Sequence, residues 1–470
     1  MGRMRAGAAV LAAAAFAWVA GSAHAKDKEA DVQLITLDPG HFHAALVQKF
    51  MLPGVKPQVL VFAPEGDDVA QHLKRIEGFN QRKEKPTHWT ETVYTGPDYL
   101  NKAVFATLGF NSHPSASREA ASQTVVVISG NNARKTEYIT KFIEAGTNVL
   151  ADKPMVIRPA DLDQLRKDFD TAKKKGVLLY DIMTERFEIT TMLQRALSRQ
   201  SGLFGTLEKG TPDHPSISKI SVHNFSKVVA GAQLKRPQWF FDPEQQGAGI
   251  VDVMTHLVDL VQWEAFPEVT LDAADAKVLK ARRWTTPITL EQFGRVTGAK
   301  EFPAFLGAHV KEGVLQAPAN GEFTYALKGV HAKVSVTWEF EAPPGAGDTH
   351  FSVMRGTRAS LTIKQGAEQA YKPVLYVERA PSVSAAEHEK ALRAAILAVA
   401  KTWPGVDVKA EGEHFVVTVP DEYHNGHEAH FTQVTENFLD YLRAGKLPEW
   451  EVPNMLTKYA TIMQAYELSR

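Results

Sequence analysis

The hydrophobic pattern divides the chain into two textures. In the first third, short continuous apolar runs alternate with segments whose apolar residues recur every three or four positions. Val32 to Leu37, Gln58 to Phe62, Thr124 to Ser129 and Thr147 to Leu150 are runs of the first kind. They read as strands buried on both faces, as in a parallel sheet. Leu46, Val47 and Phe50 follow the first run at helical spacing. Tyr138, Ile139, Phe142 and Ile143 follow the third and stop at Gly146. Beyond Arg158 comes a helix over Leu162 to Lys175, then a strand ending at Tyr180. From Ser218 onward the β-branched runs alternate apolar and polar: Ile220 to Phe225, Ala332 to Phe340, Ser352 to Ile363 and Lys372 to Glu378. Alternation of this kind predicts antiparallel strands with one face covered. Helical patterns at Glu387 to Lys401, Phe431 to Leu442 and Met455 to Ser469 close the chain. The prediction is an α/β protein, with a doubly wound N-terminal domain over 26–157. An α+β domain with a large, mainly antiparallel open sheet follows over 158–470.

The junctions between these elements carry the chemistry. The first run ends in Asp38-Pro39-Gly40-His41-Phe42-His43 before a helix, the strand–glycine turn–helix opening of a dinucleotide-binding unit. Glu65 lies 25 residues past Gly40, where an acidic group meets an adenosine ribose. The third run delivers Asn131 and Asn132, and the fourth delivers Asp152-Lys153-Pro154, at strand ends where open α/β sheets bind ligands. A second segment runs from Gly247 to Asp259 and reads as a helix entered through glycines. Asp252 and His256 are spaced i and i+4, one turn apart on one face. A carboxylate there can fix the tautomer of the imidazole and raise its basicity, as a general base near neutral pH requires. Lys153 in the same cleft would set a positive charge beside a reacting hydroxyl. Such a pair on an apolar helix is also compatible with a satisfied buried contact, and the Asp-Lys-Pro segment tips the reading toward proton abstraction from an alcohol.

Composition narrows the partners. The 470 residues include 53 Lys plus Arg against 54 Asp plus Glu, so no basic excess points to nucleic acid. Residues 1–25 read as a targeting peptide: Arg3 and Arg5, an alanine-rich apolar stretch over Ala8 to Ala20, and the small-x-small site Ala23-His24-Ala25. That stretch falls short of the ~20 residues of a membrane span. The mature chain is expected to start near Lys26 in the periplasm or outside the cell, and its lack of cysteine means no disulfides there. His424, His427 and His430 share a helical stripe. Without a carboxylate–histidine signature they read as surface or substrate-facing, and no metal is assigned to them or to His41 and His43. Arg186, after the strand ending at Tyr180, and Trp239 are expected to join His256 in facing substrate.

These residues resemble the glucose–fructose oxidoreductase, inositol dehydrogenase and MocA family of NAD(P)-dependent sugar oxidoreductases. The family's Glu-Lys-Pro motif resembles Asp152-Lys153-Pro154, its asparagine turn aligns with Asn132, and its glycine-led Asp-x-x-x-His helix matches Gly247 to His256. The resemblance extends to about Trp263, with only general architecture beyond. It implies a Rossmann domain, with Lys153 polarising the reacting hydroxyl, His256 taking its proton and Asp252 orienting His256. It further implies NAD, rather than NADP, held by Gly40, His41, Phe42, Glu65, Asn131, Asn132, Asp152 and Lys153. The family's G-x-G-x-x-G falls at Asp38, Gly40 and His43, so only the middle glycine is kept.

The leading expectation is therefore a nicotinamide-dependent oxidoreductase acting on a hydroxyl of a sugar, polyol or glycoside. A redox-neutral NAD-dependent glycosidase or epimerase uses the same residues, and a sugar-binding protein with an altered nucleotide loop is the non-catalytic alternative. The substrate is a small carbohydrate, and a second copy of the chain could pair through the open sheet face.

Overall fold

Continuous apolar runs became a six-stranded parallel sheet in the computed structural model, which describes residues 31–111, 123–229 and 232–470. The targeting segment, residues 1–25, lies outside the described residues. Among the described residues no helix is long and apolar enough to cross a membrane. The strands are β1 (Val32–Leu37), β2 (Gln58–Ala63), β3 (Thr90–Thr95), β4 (Gln123–Ile128), β5 (Asn148–Asp152) and β6 (Leu179–Ile182). Their spatial order is β3-β2-β1-β4-β5-β6, all parallel, so β6 carries the first sheet beyond the boundary expected at residue 157. This is the doubly wound order that opens a crevice where the strand order reverses, between β1 and β4. All of β1 is buried, its polar Gln33 and Thr36 included. β3, by contrast, is a largely exposed edge strand of alternating threonines. The long segment from Glu65 to Thr95 thus forms helix Asp67–Gln81 and this edge strand. Its Trp89 is a core residue whose Nε1 donates to the Gln48 carbonyl at 2.8 Å.

The C-terminal domain is built on a ten-stranded sheet running from Ala276–Thr289 at one edge to Asp407–Glu411 at the other. At its centre Ile217–Ser226 pairs in parallel with Val330–Glu341, and the other pairings are antiparallel. Helix Met254–Ala265 packs between this sheet and the closing helix Glu451–Leu468. It is buried nearly all round, and its buried polar residues include Thr255, His256, Asp259, Gln262 and Glu264. One hydrophobic cluster runs through both domains, so the strand ends of the first are fixed against the helices of the second.

An ionic network lies inside that shared core. Arg186 grips Asp259 through both carboxylate oxygens, at 2.6 and 2.8 Å, and reaches Glu451 Oε1 at 2.9 Å. Lys458 bridges Asp259 and Asp181 at 2.9 and 2.7 Å, and Tyr459 donates to Asp181. Burial works to raise the Asp259 carboxyl, but the facing Arg186 and Lys458 charges outweigh it and hold the carboxyl below the usual range. This stabilisation is present above the ordinary carboxylate pKa of about 3.9 and is lost as pH falls through the lower folded value. Asp259→Asn leaves two buried cations short of charge. It should lower the free energy of unfolding at neutral pH by about 3–5 kcal/mol. Urea melts at pH 7 and pH 3 would check this, with the gap between parent and variant narrowing, but not closing, at pH 3.

Candidate functional site

Three loops converge at the carboxyl ends of β1, β4 and β5. They cross so closely that a Cβ on Gly130 would stand 1.9 Å from the Asp38 carbonyl oxygen. His41 N–H donates to the Ser129 carbonyl at 3.2 Å, tying the first loop to the second. Asp38 occupies the left-handed region at φ 46°, and its carboxylate accepts from the Tyr138 hydroxyl at 2.8 Å. Burial raises its pKa. The aspartate at the first family glycine position is therefore absorbed by a local hydrogen bond. At Gly40 a Cβ would meet Asp68 Oδ2 at 2.9 Å and Trp239 Cζ2 at 3.0 Å. Trp239 lies here, over the glycine turn, with its Nε1 donating to Asp68 Oδ2 at 2.9 Å.

His43, at the third glycine position, turns its ring into the protein. Its Nδ1 is 2.9 Å from Asp152 Oδ2, and it packs on Phe431. His41 stands beside it, 3.7 Å from the same oxygen, with Phe42 half-buried against its ring. Burial, then the Lys153 and His427 charges, holds His43 well below its ordinary pKa. Burial and the neighbouring His43 do the same to His41.

Lys153 extends from the end of β5 to a buried ion pair with Asp252 Oδ1, while Gln246 Nε2 donates to Asp252 Oδ2 at 3.0 Å. Burial works to lower the Lys153 pKa, but Asp252 and Asp152 outweigh it and hold it above the ordinary value. Regular helix begins at Met254, two residues after Asp252, because Gly249 meets the strand Val314–Leu327 backbone to backbone. A Cβ there would lie 1.6 Å from the Ala319 oxygen. Asp252 consequently faces Lys153. Among the described residues no hydrogen bond joins it to His256, and the buried His256 Nδ1 has no partner. Burial and then the Lys153 and His427 charges hold His256 well below its ordinary pKa, so its ring is neutral.

The remaining residues named from sequence fall around this centre. Asn131 and Asn132 donate to Gln245 Oε1 and the Gln246 carbonyl, both at 2.7 Å, which clips β4 to the second domain. Glu65 is exposed two residues past β2 and lines a cleft of about 370 Å³ with Asp38, Asp67, Asp68, Trp239 and Gln245. Arg186 has its guanidinium engaged by Asp259 and Glu451 within the buried network. His427 opens helix His427–Ala444 and faces Glu185 at 3.5 Å, while His424 precedes that helix. A further polar group escaped the sequence reading. Asp348 joins His223 at 3.2 Å, Lys227 at 3.0 Å and Asn224 at 3.0 Å, and Lys153 acts electrostatically on His223. Its members come from strands more than a hundred residues apart, so no local motif announces them.

The residues can be tested for a dinucleotide. The cleft at Glu65 suits the adenosine end, and Lys153 with His256 suits the reacting end. Between them the Gly40 cradle is bare of Cβ, as pyrophosphate contact needs, but the Trp239 ring and Asp68 lie in it. The residues fit the group once that indole swings aside.

Comparison with known proteins gives the class. Residues 193–470 match the family described as "Putative oxidoreductase C terminal domain", and residues 95–181 match "Oxidoreductase family, NAD-binding Rossmann fold". A crystal structure of a "putative oxidoreductase" from Parabacteroides merdae is 51% identical, with a TM-score of 0.88, and the alignment covers 94% of this chain and 98% of that one. The chain belongs to the glucose–fructose oxidoreductase, inositol dehydrogenase and MocA family of oxidoreductases, with the C-terminal domain just named. Levoglucosan dehydrogenase, solved with NADH and levoglucosan, shares the fold at 14% identity and a TM-score of 0.54, covering 93% of this chain and 98% of that one. A 3-ketoreductase from Actinomadura kijaniata, solved with NADP, shares it at 14% identity and a TM-score of 0.51, covering 93% and 97%. No curated protein sequence matches the chain.

The loop crossing yields a test. Gly130→Ala must push the Asp38 loop away from β4, an overpacking cost of about 1–3 kcal/mol. Thermal unfolding should record that loss, and dinucleotide binding should weaken with it. Gly66→Ala, whose Cβ meets nothing within 4 Å, probes the backbone term alone at its φ of +151°.

Proposed function

We propose that the chain is a nicotinamide-dependent oxidoreductase acting on a secondary hydroxyl of a sugar or polyol, or on the corresponding ketone. The observation that carries this reading is the buried Lys153 ammonium, fixed by Asp252, whose charge adds to burial in keeping the His256 imidazole neutral. An ammonium locked in place stabilises charge developing on a substrate oxygen without reorganising. A neutral imidazole can take the hydroxyl proton in oxidation and return it in reduction. The nicotinamide, when bound, accepts or donates the hydride. Gly40, Glu65, Asn131, Asn132 and the backbone around His41 and Phe42 would hold the dinucleotide.

A hydroxyl-rich substrate is supported by the polar lining near Lys153: His223, Lys227, Asp348, Glu185 and His427. The levoglucosan dehydrogenase and the 3-ketoreductase are in keeping with that class. NAD is favoured over NADP by the carboxylates of Glu65, Asp67 and Asp68, which would repel a 2′-phosphate, while Lys235 in the same cleft is paired with Asp67. We place the protein in the periplasm, on the targeting pattern of residues 1–25.

Lys153→Met and His256→Ala should each reduce kcat/KM by ~100- to 10,000-fold, and Lys153→Met, which leaves the Asp252 carboxylate buried without its cation, should also lose stability, so circular dichroism checks that each variant is folded at the assay temperature. Steady-state assays over a sugar and polyol panel check this, and turnover within a few-fold of the parent in both variants would refute the assignment. The acid limb of the parent's kcat/KM profile should lie below the ordinary histidine value of about 6.5, because His256 is depressed. Trp239→Ala removes the ring from the Gly40 cradle and should tighten NAD binding in a calorimetric titration. Unchanged or weaker binding would show that the indole is no obstacle.

A further inference from the structure

His43, at the third family glycine position, and its neighbour His41 have side chains that the redox reading leaves without work. His41, His43 and Asp152 each offer one ligand atom, and these atoms lie within 4.8 Å of one another. The distances from Asp152 Oδ2 are 2.9 Å to His43 Nδ1 and 3.7 Å to His41 Nδ1. Metal–nitrogen and metal–oxygen bonds of about 2.0–2.2 Å at tetrahedral angles place neighbouring donors roughly 3.3–3.6 Å apart. The two observed distances bracket that value. Side-chain exposures of 13%, 8% and 5% for His41, His43 and Asp152 make the three a built, enclosed set rather than a surface coincidence.

The surroundings hold the donors in place. Ser129 Oγ donates to Asp152 Oδ2 at 2.9 Å, the kind of outer hydrogen bond that aims a ligating carboxylate. Phe431 and Phe240 pack on the rings of His43 and His41. Three cations stand nearby, but each is committed elsewhere. Lys153 is paired with Asp252, Lys135 Nζ donates to the Asp152 carbonyl at 2.7 Å, and Arg236 donates to the carbonyls of Phe225 and Asn224. A phosphate would find those donors engaged and a carboxylate in its path. Two imidazoles and a carboxylate, by contrast, are a ligand set for a first-row divalent cation, whereas Mg²⁺ and Ca²⁺ prefer oxygen alone.

We propose that His41, His43 and Asp152 bind one divalent transition-metal ion of the zinc type, with a remaining position open to water or a substrate oxygen. Three protein ligands plus an open position is the pattern of catalytic rather than structural sites. The site reassigns His41 and Asp152 from dinucleotide contact, and it stands whether or not the chain is an oxidoreductase.

The test is metal binding by the full chain after chelator treatment, with zinc followed by calorimetry and cobalt by visible absorption. One zinc per chain is expected, with the intense cobalt spectrum of a tetrahedral nitrogen–oxygen site. His41→Gln and His43→Gln should each lower zinc affinity by roughly 100-fold or more, beyond the ~10- to 100-fold of losing an outer-shell partner. Circular dichroism and melting without metal confirm that the variants fold, and His41→Gln, at the more exposed ligand, serves if His43→Gln does not. The surface variant His214→Gln should bind like the parent. Zinc binding that both ligand variants retain, that His214→Gln abolishes, or that is absent at millimolar zinc would overturn the proposal.

Discussion

The buried pair of Lys153 and Asp252 is the constraint around which the two domains are arranged. An ammonium taken out of water costs several kcal/mol unless a partner compensates it, and the same holds for the carboxylate. The amine is supplied by a strand end of the parallel sheet and the carboxylate by the turn before a helix of the second domain, 99 residues later. Neither can be buried without the other, so the pair couples closure of the cleft to correct docking of the domains. Asn131 and Asn132, bonded to Gln245 and the Gln246 carbonyl, fasten the same seam from the β4 side.

This arrangement changes the division of labour among the residues. An aspartate one turn before a histidine is expected to orient it, yet Asp252 spends its oxygens on Lys153 and Gln246. His256 is governed instead by burial and by the lysine charge, both of which keep it unprotonated. A base of this kind is always ready but intrinsically weak. Under the proposed function it would depend on the Lys153 ammonium to stabilise the oxygen it deprotonates, so the two residues would act as one unit.

Much of the fold was legible because its signals are local. Each strand of the parallel sheet except β3 announced itself as an unbroken apolar run, and the antiparallel sheet followed from alternation over residues such as Ala332 to Phe340. β3 was missed because an exposed edge strand needs no apolar face. Lys153, Asp252 and His256 could be named because they sit at a strand end or at helical spacing, but the ion pair of Lys153 with Asp252 could not be read from that spacing. What could not be read depends on approach between distant segments. The contact of Gly249 with Ala319 delays the helix, the Trp239 indole lies over Gly40 rather than beside Lys153, and Arg186 is consumed by Asp259 and Glu451. The Asp348 group joins strands whose pairing only the folded sheet defines.

The most direct test of the account is the fate of a labelled hydride. The protein is incubated with reduced nicotinamide dinucleotide carrying two deuterons at the reactive carbon and with a panel of keto-sugars, and the products are analysed by mass spectrometry and NMR. The account predicts deuterium bound to carbon at the newly formed alcohol, with transfer slowed by ~100-fold or more in Lys153→Met. Dinucleotide that binds while every product stays free of carbon-bound label would contradict it.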